Sequence, residues 1–261
     1  MQQVHAAGGQ VRVVYLTNGD GYRDGVRLEE RHVALKPRDF RGYGRRRQKE
    51  ARAALAALGL GNDAATFLSF PDQGLCKLIR VYWSEHHAPY KSPYTRLDRP
   101  PADELLVPAT EYRGEDLTQE LAQLIGEFQP TLILVPRPED QHPDHCAAWY
   151  FLADALGDVH RVMPGYSVDV LNYIVHFKTW PFEDERAALR SPPGLGGGAS
   201  GWIRVPLSSD EMTIKRIALA KFRTQQHAMK WFLDGFVRTN EVFSRPAPPH
   251  VVLPLKHQPC C

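Results

Sequence analysis

The decapeptide PEDQHPDHCA, residues 138–147, contains side chains that could hold a metal ion or assist hydrolysis. His142 and His145 stand three residues apart, and carboxylates interleave them at Asp140 and Asp144. Neutral imidazoles are good zinc ligands, and carboxylates can fix the orientation of an imidazole. A catalytic zinc needs three protein ligands, which a single helical turn rarely supplies. The decapeptide therefore predicts part of a metal site; the alternative is a loop in which both imidazoles bond only to the backbone.

The elements on either side of this decapeptide predict where it lies. The run TLILV, residues 131–135, is apolar on both faces, as strands buried in a parallel sheet are. Ligands of such sheets bind beyond the carboxyl ends of the strands. Pro143 suits the first position of a helix, whose N-terminus favours an anion or a developing oxyanion. We expect His142 near the helix cap, His145 in the first turn, and Asp20, which follows the strand VRVVYLT, at the same pocket.

The first 160 residues predict strands that alternate with helices, which is typical of a parallel sheet covered by helices. Helices are predicted at YGRRRQKEARAALAALGLG, DLTQELAQLIGEFQP and DHCAAWYFLADALG, and a further strand at ATFLSF. The first residues, MQQVHAAGG, predict the last turns of a helix that ends at glycine. Residues 76–112 show little periodicity and predict a long functional loop or lid. We therefore expect an α/β fold.

The last third of the chain has a different pattern. It predicts two strands, YSVDVLNYIVHF and GWIRVPL, and then one long helix, SSDEMTIKRIALAKFRTQQHAMKWFLDGF. Ser208 and Glu211 have the spacing of a capping box at the start of that helix. The tail SRPAPPHVVLPLKHQPCC has too many prolines to continue a helix. We expect one domain over residues 1–245 and a proline-rich tail over residues 246–261.

Composition narrows the class of protein. The 261 residues are 43% hydrophobic and 24% charged with a formal net charge of +2, values ordinary for a globular protein. The chain has no surplus of basic residues that would indicate a nucleic-acid partner. No apolar run approaches the ~20 residues that span a bilayer. The four cysteines lack CxxC spacing and do not resemble a disulfide framework. We expect a reduced, cytoplasmic protein.

Five segments, in order, resemble the LmbE-like family, which includes the N-acetylglucosaminyl-phosphatidylinositol de-N-acetylases. GQVRVVYLTNGDGY resembles the second strand of the family and its glycine-aspartate turn. RQKEARAALAALG resembles its R-x-x-E helix, FLSFPDQGL its phenylalanine-proline-aspartate turn, and HPDH its His-Pro-Asp-His box. YIVHFKTWP resembles a segment common in bacterial members. The resemblance covers nearly the whole chain.

This resemblance implies a zinc-dependent hydrolase on a Rossmann-like, mostly parallel sheet with helices on both faces. The implied reaction removes acetyl from a small-molecule substrate, an amino sugar of the N-acetylglucosamine type or its conjugate. His145 would be a zinc ligand, His142 would stabilise the oxyanion, and Asp144 would orient the His142 imidazole. The implied substrate-binding residues are Arg47, Asp72, Asp20 and His176.

The substrate-binding residues also have structural interpretations. Arg47 could form an ordinary helix-face pair with Glu50. Asp72 could simply shape a turn, and His176 could be a core histidine bonded within its strand. The residue types alone leave these alternatives open.

The chain departs from the family at its start. The first strand of the family ends in an Ala-His-Pro-Asp-Asp-Glu type box, which supplies two zinc ligands and the general base, and this box is absent from the printed sequence. His5 fits the helix that normally follows the box. We therefore expect that the first strand is missing and that HPDH is half of a zinc site whose other half lies upstream of Met1. The chain as printed should bind no tight zinc, show no deacetylase activity and fold poorly.

Two other functions compete with the deacetylase. A non-catalytic relative could keep the sugar-shaped crevice after losing the metal. A different metal hydrolase could recruit Asp20 or Asp144 to complete the site.

Overall fold

The computed structural model describes residues 1–182, 187–198 and 201–246. These residues form a mixed α/β fold, which confirms the predicted class. The helices are α1 Gln2–Ala6, α2 Arg23–Glu30, α3 Pro37–Ala57, α4 Leu75–Arg80, α5 Gly114–Phe128, α6 Pro143–Val162, α7 Ser209–Lys221 and α8 Arg223–Asp234. The strands are β1 Val13–Thr17, β2 Ala65–Phe70, β3 Leu132–Pro136, β4 Asp169–Tyr173, β5 Trp202–Pro206 and β6 Asn240–Ser244.

The strands form two sheets. β1 pairs with β2 in parallel, and the second sheet has the order β3-β4-β6-β5. β3 and β4 are parallel, whereas β6 is antiparallel to both of its neighbours. Among the described strands, β1 and β3 each have a hydrogen-bonded neighbour on one side only. The expectation of a mostly parallel sheet is met by the first four strands, and β5 and β6 add an antiparallel part.

β3 is less buried than its apolar sequence predicts. Leu132 and Leu134 are 43% and 42% exposed, and burial within the strand is confined to Val135 and Pro136. The prediction of a strand buried on both faces was therefore wrong for its first half. The physical reason is that β3 lies at a sheet edge, so no described strand covers the side away from β4.

One hydrophobic core joins the two sheets. It is built from α4, α5 and α6 together with the ends of the parallel strands, and its largest members include Phe70, Leu117 and Phe151. Residues of β1 and of β3 pack against this same cluster. Packing, rather than strand pairing, therefore holds β1 and β3 so that the loops after both lie at one end of the core.

The long C-terminal helix of the sequence prediction is two helices. α7 begins at the predicted Ser208–Glu211 capping box, and the chain leaves helical geometry at Phe222 before α8. Thr224, at the start of α8, donates its backbone N–H and its hydroxyl to the carboxylate of Glu50 at 3.0 and 2.7 Å. Glu50 thus binds the N-terminus of α8, which excludes the alternative of a simple Arg47–Glu50 pair on α3.

The loop from Val81 to Arg113 is packed against the strands rather than free. The Tyr112 hydroxyl donates to the backbone oxygen of Ser69 at 2.8 Å, and the Glu104 carboxylate accepts from the Ser69 hydroxyl and from Gln48. The predicted long loop therefore exists, shortened at its start by α4, and its residues contact β2 and α3.

Cys76 and Cys146, the cysteines in the described part of the chain, are both disulfide-bonded, so the expectation of reduced cysteines was wrong for these two. Because disulfides are typical of oxidising compartments, these two residues no longer support a cytoplasmic location.

Within the described ranges, no helix is long and apolar enough to cross a bilayer. The predicted tail, residues 246–261, lies almost wholly outside the described residues.

Glu50→Ala should destabilise the protein by about 1–3 kcal/mol, because the N-terminal groups of α8 lose a buried acceptor. Thermal or urea unfolding of the purified variant measures this. Lys49→Ala, which changes an exposed neighbour on the same helix, is the control and should stay within about 0.5 kcal/mol of wild type. Equal stability of the two variants would contradict the capping role of Glu50.

Candidate active site at the strand ends

The buried carboxylate of Asp140 organises the loop after β3. One oxygen accepts the backbone N–H of His142 at 3.0 Å and lies 3.2 Å from Nδ1 of His145. The other accepts the backbone N–H groups of Val175 and His176 at 2.7 and 3.1 Å. Although burial alone would raise its pKa, the hydrogen bonds and the nearby His145 hold the pKa of Asp140 below its ordinary value. Asp140 therefore joins the loop after β3 to the loop after β4.

The contact with Asp140 also fixes the state of His145. Because a carboxylate can only accept, Nδ1 of His145 carries the proton of this hydrogen bond, and Nε2 is the ring nitrogen left to face a ligand. This pattern, in which a carboxylate holds the far nitrogen of an imidazole, is the one that metal-binding histidines use. His145 is thus prepared to act as a ligand or as a hydrogen-bond acceptor.

Three imidazoles form a cluster at this point, defined as His142, His145 and His176 and called the histidine cluster. The ring centres of His142 and His145 are 4.6 Å apart, and His176 lies 5.5 and 5.3 Å from them. Burial, together with the neighbouring His145, lowers the pKa of His142 to about 4. Burial also lowers the pKa of His176. His142 is therefore a neutral imidazole near pH 7, and His176 is biased the same way.

His142 has an unusual unpaired atom. Its Nδ1 is buried and has no hydrogen-bond partner among the described residues. The expected contact from Asp144 is not made to this nitrogen, because the Asp144 carboxylate accepts the backbone N–H groups of Gln73 and Leu75 at 2.6 and 3.2 Å. Asp144 thus fastens α6 to the turn after β2, and Asp140, not Asp144, holds a histidine side chain.

Asp72 links the loops after β1 and β2 in a similar way. Its carboxylate accepts the backbone N–H of Gly21 at 2.8 Å and the hydroxyl of Thr17 at 3.3 Å. Asp72 raises the pKa of Asp144, second only to burial, and it also acts on His142. Asp72 therefore shapes a turn, as its structural interpretation predicts, and its charge also reaches the histidine cluster.

Asp20 and Arg47 lie on the β1 side of this site. Burial and the neighbouring Asp72 raise the pKa of Asp20 to about 8, so this carboxyl is largely protonated at neutral pH. Arg47, on α3, donates to the backbone oxygen of Gly19 at 3.1 Å. Gly19 has a positive φ of 63°, and a Cβ there would overlap the Arg47 guanidinium, so both conformation and space require glycine. Arg47 is half-buried, and its contact ties it to the β1 turn.

The structure thus brings the predicted site residues together at one end of the core. Some of them share hydrogen-bond partners, and the charges of others shift the pKa values of their neighbours. Sequence reasoning did not assign a role to Asp140, although Asp140 lies in the same decapeptide as His142 and His145, residues 138–147. The signal available was its position two residues before His142, where an aspartate commonly accepts the backbone N–H of residue i+2. Sequence reasoning also missed Phe232, which stacks on His176 with ring centres 4.8 Å apart.

The fit of a metal ion to this site is partial. Among the described residues, one group places three possible ligand atoms within 4.8 Å of one another: Glu30, His32 and Asp39. It lies between the end of α2 and the first turn of α3. There Asp39 already accepts the backbone N–H of Lys36 at 2.7 Å, and Arg46 donates to Glu30 at 3.2 Å. In the histidine cluster, Asp140 orients one imidazole, that of His145, and the cluster does not complete a three-ligand set within the described part of the chain.

The first 156 residues of the chain match a known family. The family model described as PIG-L, GlcNAc-PI de-N-acetylase, matches residues 1–156. The chain belongs to this family. Membership confirms the LmbE-like resemblance and makes the chain a relative of deacetylases. A comparison with curated proteins gives no match.

Several solved structures share the fold of this PIG-L family member. A conserved protein from Thermus thermophilus is 18% identical with a TM-score of 0.52, over 96% of this chain and 88% of that one. The zinc-inhibited form of a teicoplanin deacetylase is 18% identical with a TM-score of 0.51, over 93% and 89%. The 4-carboxy-2-hydroxymuconate hydratase of Pseudomonas putida is 14% identical with a TM-score of 0.52, over 97% and 90%. At these identities the likeness shows the fold alone, and the fold is used by a hydratase as well as by deacetylases.

Replacing Asp20 with asparagine should change how stability depends on pH in the metal-free protein. Because the folded-state pKa of Asp20 is raised to about 8, folding takes up a proton, and this stabilising contribution is lost as pH rises from about 4 to 8. The difference in Tm between Asp20→Asn and wild type should therefore grow over this range and then level off.

Thermal scans between pH 4 and 9 in the presence of a chelator test this dependence. Asp24→Asn alters an exposed carboxylate and should give a difference in Tm that is nearly constant with pH. A pH-independent difference for Asp20→Asn would show that the folded protein does not raise the pKa of Asp20.

Proposed function

We propose that this protein is a hydrolase that removes the acetyl group from an N-acetylglucosamine-type amino sugar or its conjugate. The observation that carries the proposal is the histidine cluster beside the Asp140 carboxylate, at the end of the core where the loops after β1, β2, β3 and β4 meet. Family membership supports the reaction class, and the chemistry of the residues supports the assignment of roles.

Amide hydrolysis needs a donor for the oxyanion that forms on the carbonyl. We assign this role to His142, because its imidazole, kept neutral by a pKa of about 4, still has one N–H that can donate to the oxyanion. The N-terminus of α6, which begins at Pro143, adds positive potential at the same place. On the other side of the pocket we assign the sugar contacts to Arg47, Asp72, Asp20 and His176.

We further propose zinc as the metal, with His145 as one ligand. Zinc bound in hydrolases of this type lowers the pKa of its water to about 7 and polarises the carbonyl. The described residues supply one oriented ligand and not a complete set, so no catalytic step is assigned to zinc here. Asp144, whose carboxylate is engaged with Gln73 and Leu75, is assigned to holding the turn beside the cluster.

A second candidate is a sugar-binding relative that does not catalyse hydrolysis. The observation in its favour is that the histidine cluster does not place three ligand atoms within reach of one ion among the described residues. Such a protein would keep the pocket of Arg47, Asp72 and His176 and bind the amino sugar unchanged. The two candidates differ in their response to zinc.

The protein of 261 residues should bind zinc weakly and release acetate from N-acetylglucosaminyl glycosides only when zinc is in excess. His145→Ala should abolish the response to zinc, since it removes the oriented ligand. His142→Ala should keep the zinc dependence and lower turnover by about 10²-fold, the usual cost of losing an oxyanion donor. Atomic emission gives the zinc content, and an enzymatic acetate assay gives the rate.

Sugar binding without acetate release at any zinc concentration would favour the non-catalytic candidate. Loss of zinc dependence in the His142 variant, with retention in the His145 variant, would show that the two roles are exchanged. Stoichiometric zinc without supplementation would mean that further residues complete the ligand set.

Arg47→Ala should weaken binding of N-acetylglucosaminyl glycosides about tenfold or more, the usual range for a lost hydrogen bond from a charged group, with Tm within a few degrees of wild type. Isothermal calorimetry measures the binding. Arg46→Ala is the matched control, because Arg46 pairs with Glu29 and Glu30 on the neighbouring helix. If both variants bind as wild type does, Arg47 has no part in substrate binding.

A further inference from the structure

A run of aromatic rings leads outward from the histidine cluster. Phe232 stacks on His176 with ring centres 4.8 Å apart. The ring centre of Phe182 lies 5.4 Å from that of Phe232, and that of Trp231 lies 4.8 Å from that of Phe182. We call these four rings the aromatic wall: His176, Phe232, Phe182 and Trp231. Each is in ring contact with the next, and its first member also belongs to the histidine cluster.

The inner side of the aromatic wall is held rigidly. Phe232 also packs against Phe236, at 5.4 Å, and Phe236 packs edge-on against Trp180, at 5.5 Å. Trp180 is 7% exposed, and its indole nitrogen donates to the backbone oxygen of Arg190 at 2.8 Å. The wall therefore rests on buried, hydrogen-bonded structure, and its position is set by the fold.

Gly235 makes room for Phe182. Its φ of −57° is ordinary for a helix, so its backbone does not require glycine. A Cβ at this position, however, would overlap the Phe182 ring. The absence of a side chain at position 235 thus allows Phe182 to lie against the end of α8, between Phe232 and Trp231.

The outer side of the wall is open, since Trp231 is 65% exposed. Large exposed aromatic side chains beside a polar pocket commonly mark a binding surface, because burying them is favourable by about 25 cal/mol per Å². One exposed indole and two half-buried rings are a small area for a stable protein interface, which needs about 800 Å² from each partner. The size fits a small group better than a protein.

The charge on the wall further limits what it can bind. Phe232, Phe182 and Trp231 carry no charge. Lys230, the cation next to Trp231 on α8, is paired with Asp234. An uncharged, apolar group therefore suits the wall better than a phosphate or a carboxylate.

We propose that the aromatic wall binds an apolar aglycone, an aryl or short alkyl group, of the amino sugar whose N-acyl group faces the histidine cluster. The sugar part of this statement rests on the proposed function, whereas the apolar part rests on the wall alone. His176 joins the two parts, since it contacts both His142 and Phe232. The substrate class is thus an amino-sugar glycoside with an apolar substituent, not the free sugar.

Binding of four simple glycosides tests this subsite without requiring turnover. The probes are the methyl and phenyl β-glycosides of N-acetylglucosamine and the same two glycosides of glucose, with dissociation constants from calorimetry on the full chain. Wild type should bind each phenyl glycoside about tenfold more tightly than its methyl counterpart. Trp231→Ala should reduce this preference to about twofold or less.

Two further variants make the test specific. Gly235→Ala should displace Phe182 and reduce the phenyl preference without removing any ring. Lys230→Ala, an exposed change one residue from Trp231, should leave the preference as in wild type. Near-native circular dichroism and Tm for all three variants would confirm that folding is intact.

The outcomes separate the subsite from the catalytic proposal. A phenyl preference that Trp231→Ala removes, seen equally with glucose and N-acetylglucosamine, would support the wall and count against recognition of the acetamide. Equal binding of methyl and phenyl glycosides, a preference that persists in Trp231→Ala, or no binding of any probe would overturn the proposal. Self-association of the chain that Trp231→Ala abolishes, with no phenyl preference, would also overturn it, because a second copy would then be the occupant.

Discussion

The carboxylate of Asp140 is the interaction on which the site depends. It is 3% exposed and accepts from four nitrogen atoms, three in the backbone and one in His145. A buried charge of this kind is tolerated only when it is fully hydrogen-bonded, as it is here. Because its partners come from the loops after β3 and after β4, the same carboxylate sets the distance between these loops and the orientation of His145. The geometry of the histidine cluster follows from it.

Two further carboxylates tie the loops of the site together, and one of them, Asp144, links the two sheets, which no described strand connects. Asp144 binds the turn after β2 from the start of α6, and Asp72 binds the turn after β1. The hydrophobic core beneath them contains residues of β1 and β3 alike. The strand ends are thus aligned by packing and by side-chain to backbone hydrogen bonds, although β1 and β3 themselves each remain at the edge of a sheet. Leu132 and Leu134 are exposed because β3 lies at such an edge.

The site that results has two chemically different sides. Toward β1 and β2 it carries Asp20, Asp72 and Arg47, to which the proposed function assigns the sugar contacts. Toward the C-terminal region it carries the aromatic wall, which suits an apolar group. The histidine cluster lies between them, and the lowered pKa values of His142 and His176 follow from burial among other imidazoles. Under the proposed function, a substrate that matches both sides would place its reacting amide beside the neutral His142.

The sequence by itself determined the fold class, most of the regular elements and the family, whereas only the tertiary structure decided which partners each side chain has. Apolar periodicity and glycine or proline boundaries are local signals, so β1, β2, α5 and α6 were predicted close to their observed positions, as was the capping box at Ser208. Asp140 rather than Asp144 binds a histidine, and Glu50 binds Thr224 rather than Arg47. The aromatic wall, which joins Phe182 to residues of α8, has no periodic signal in the chain. The Glu50–Thr224 contact and the aromatic wall join residues far apart in sequence. The energies of all these contacts depend on burial and distance, which no local pattern encodes.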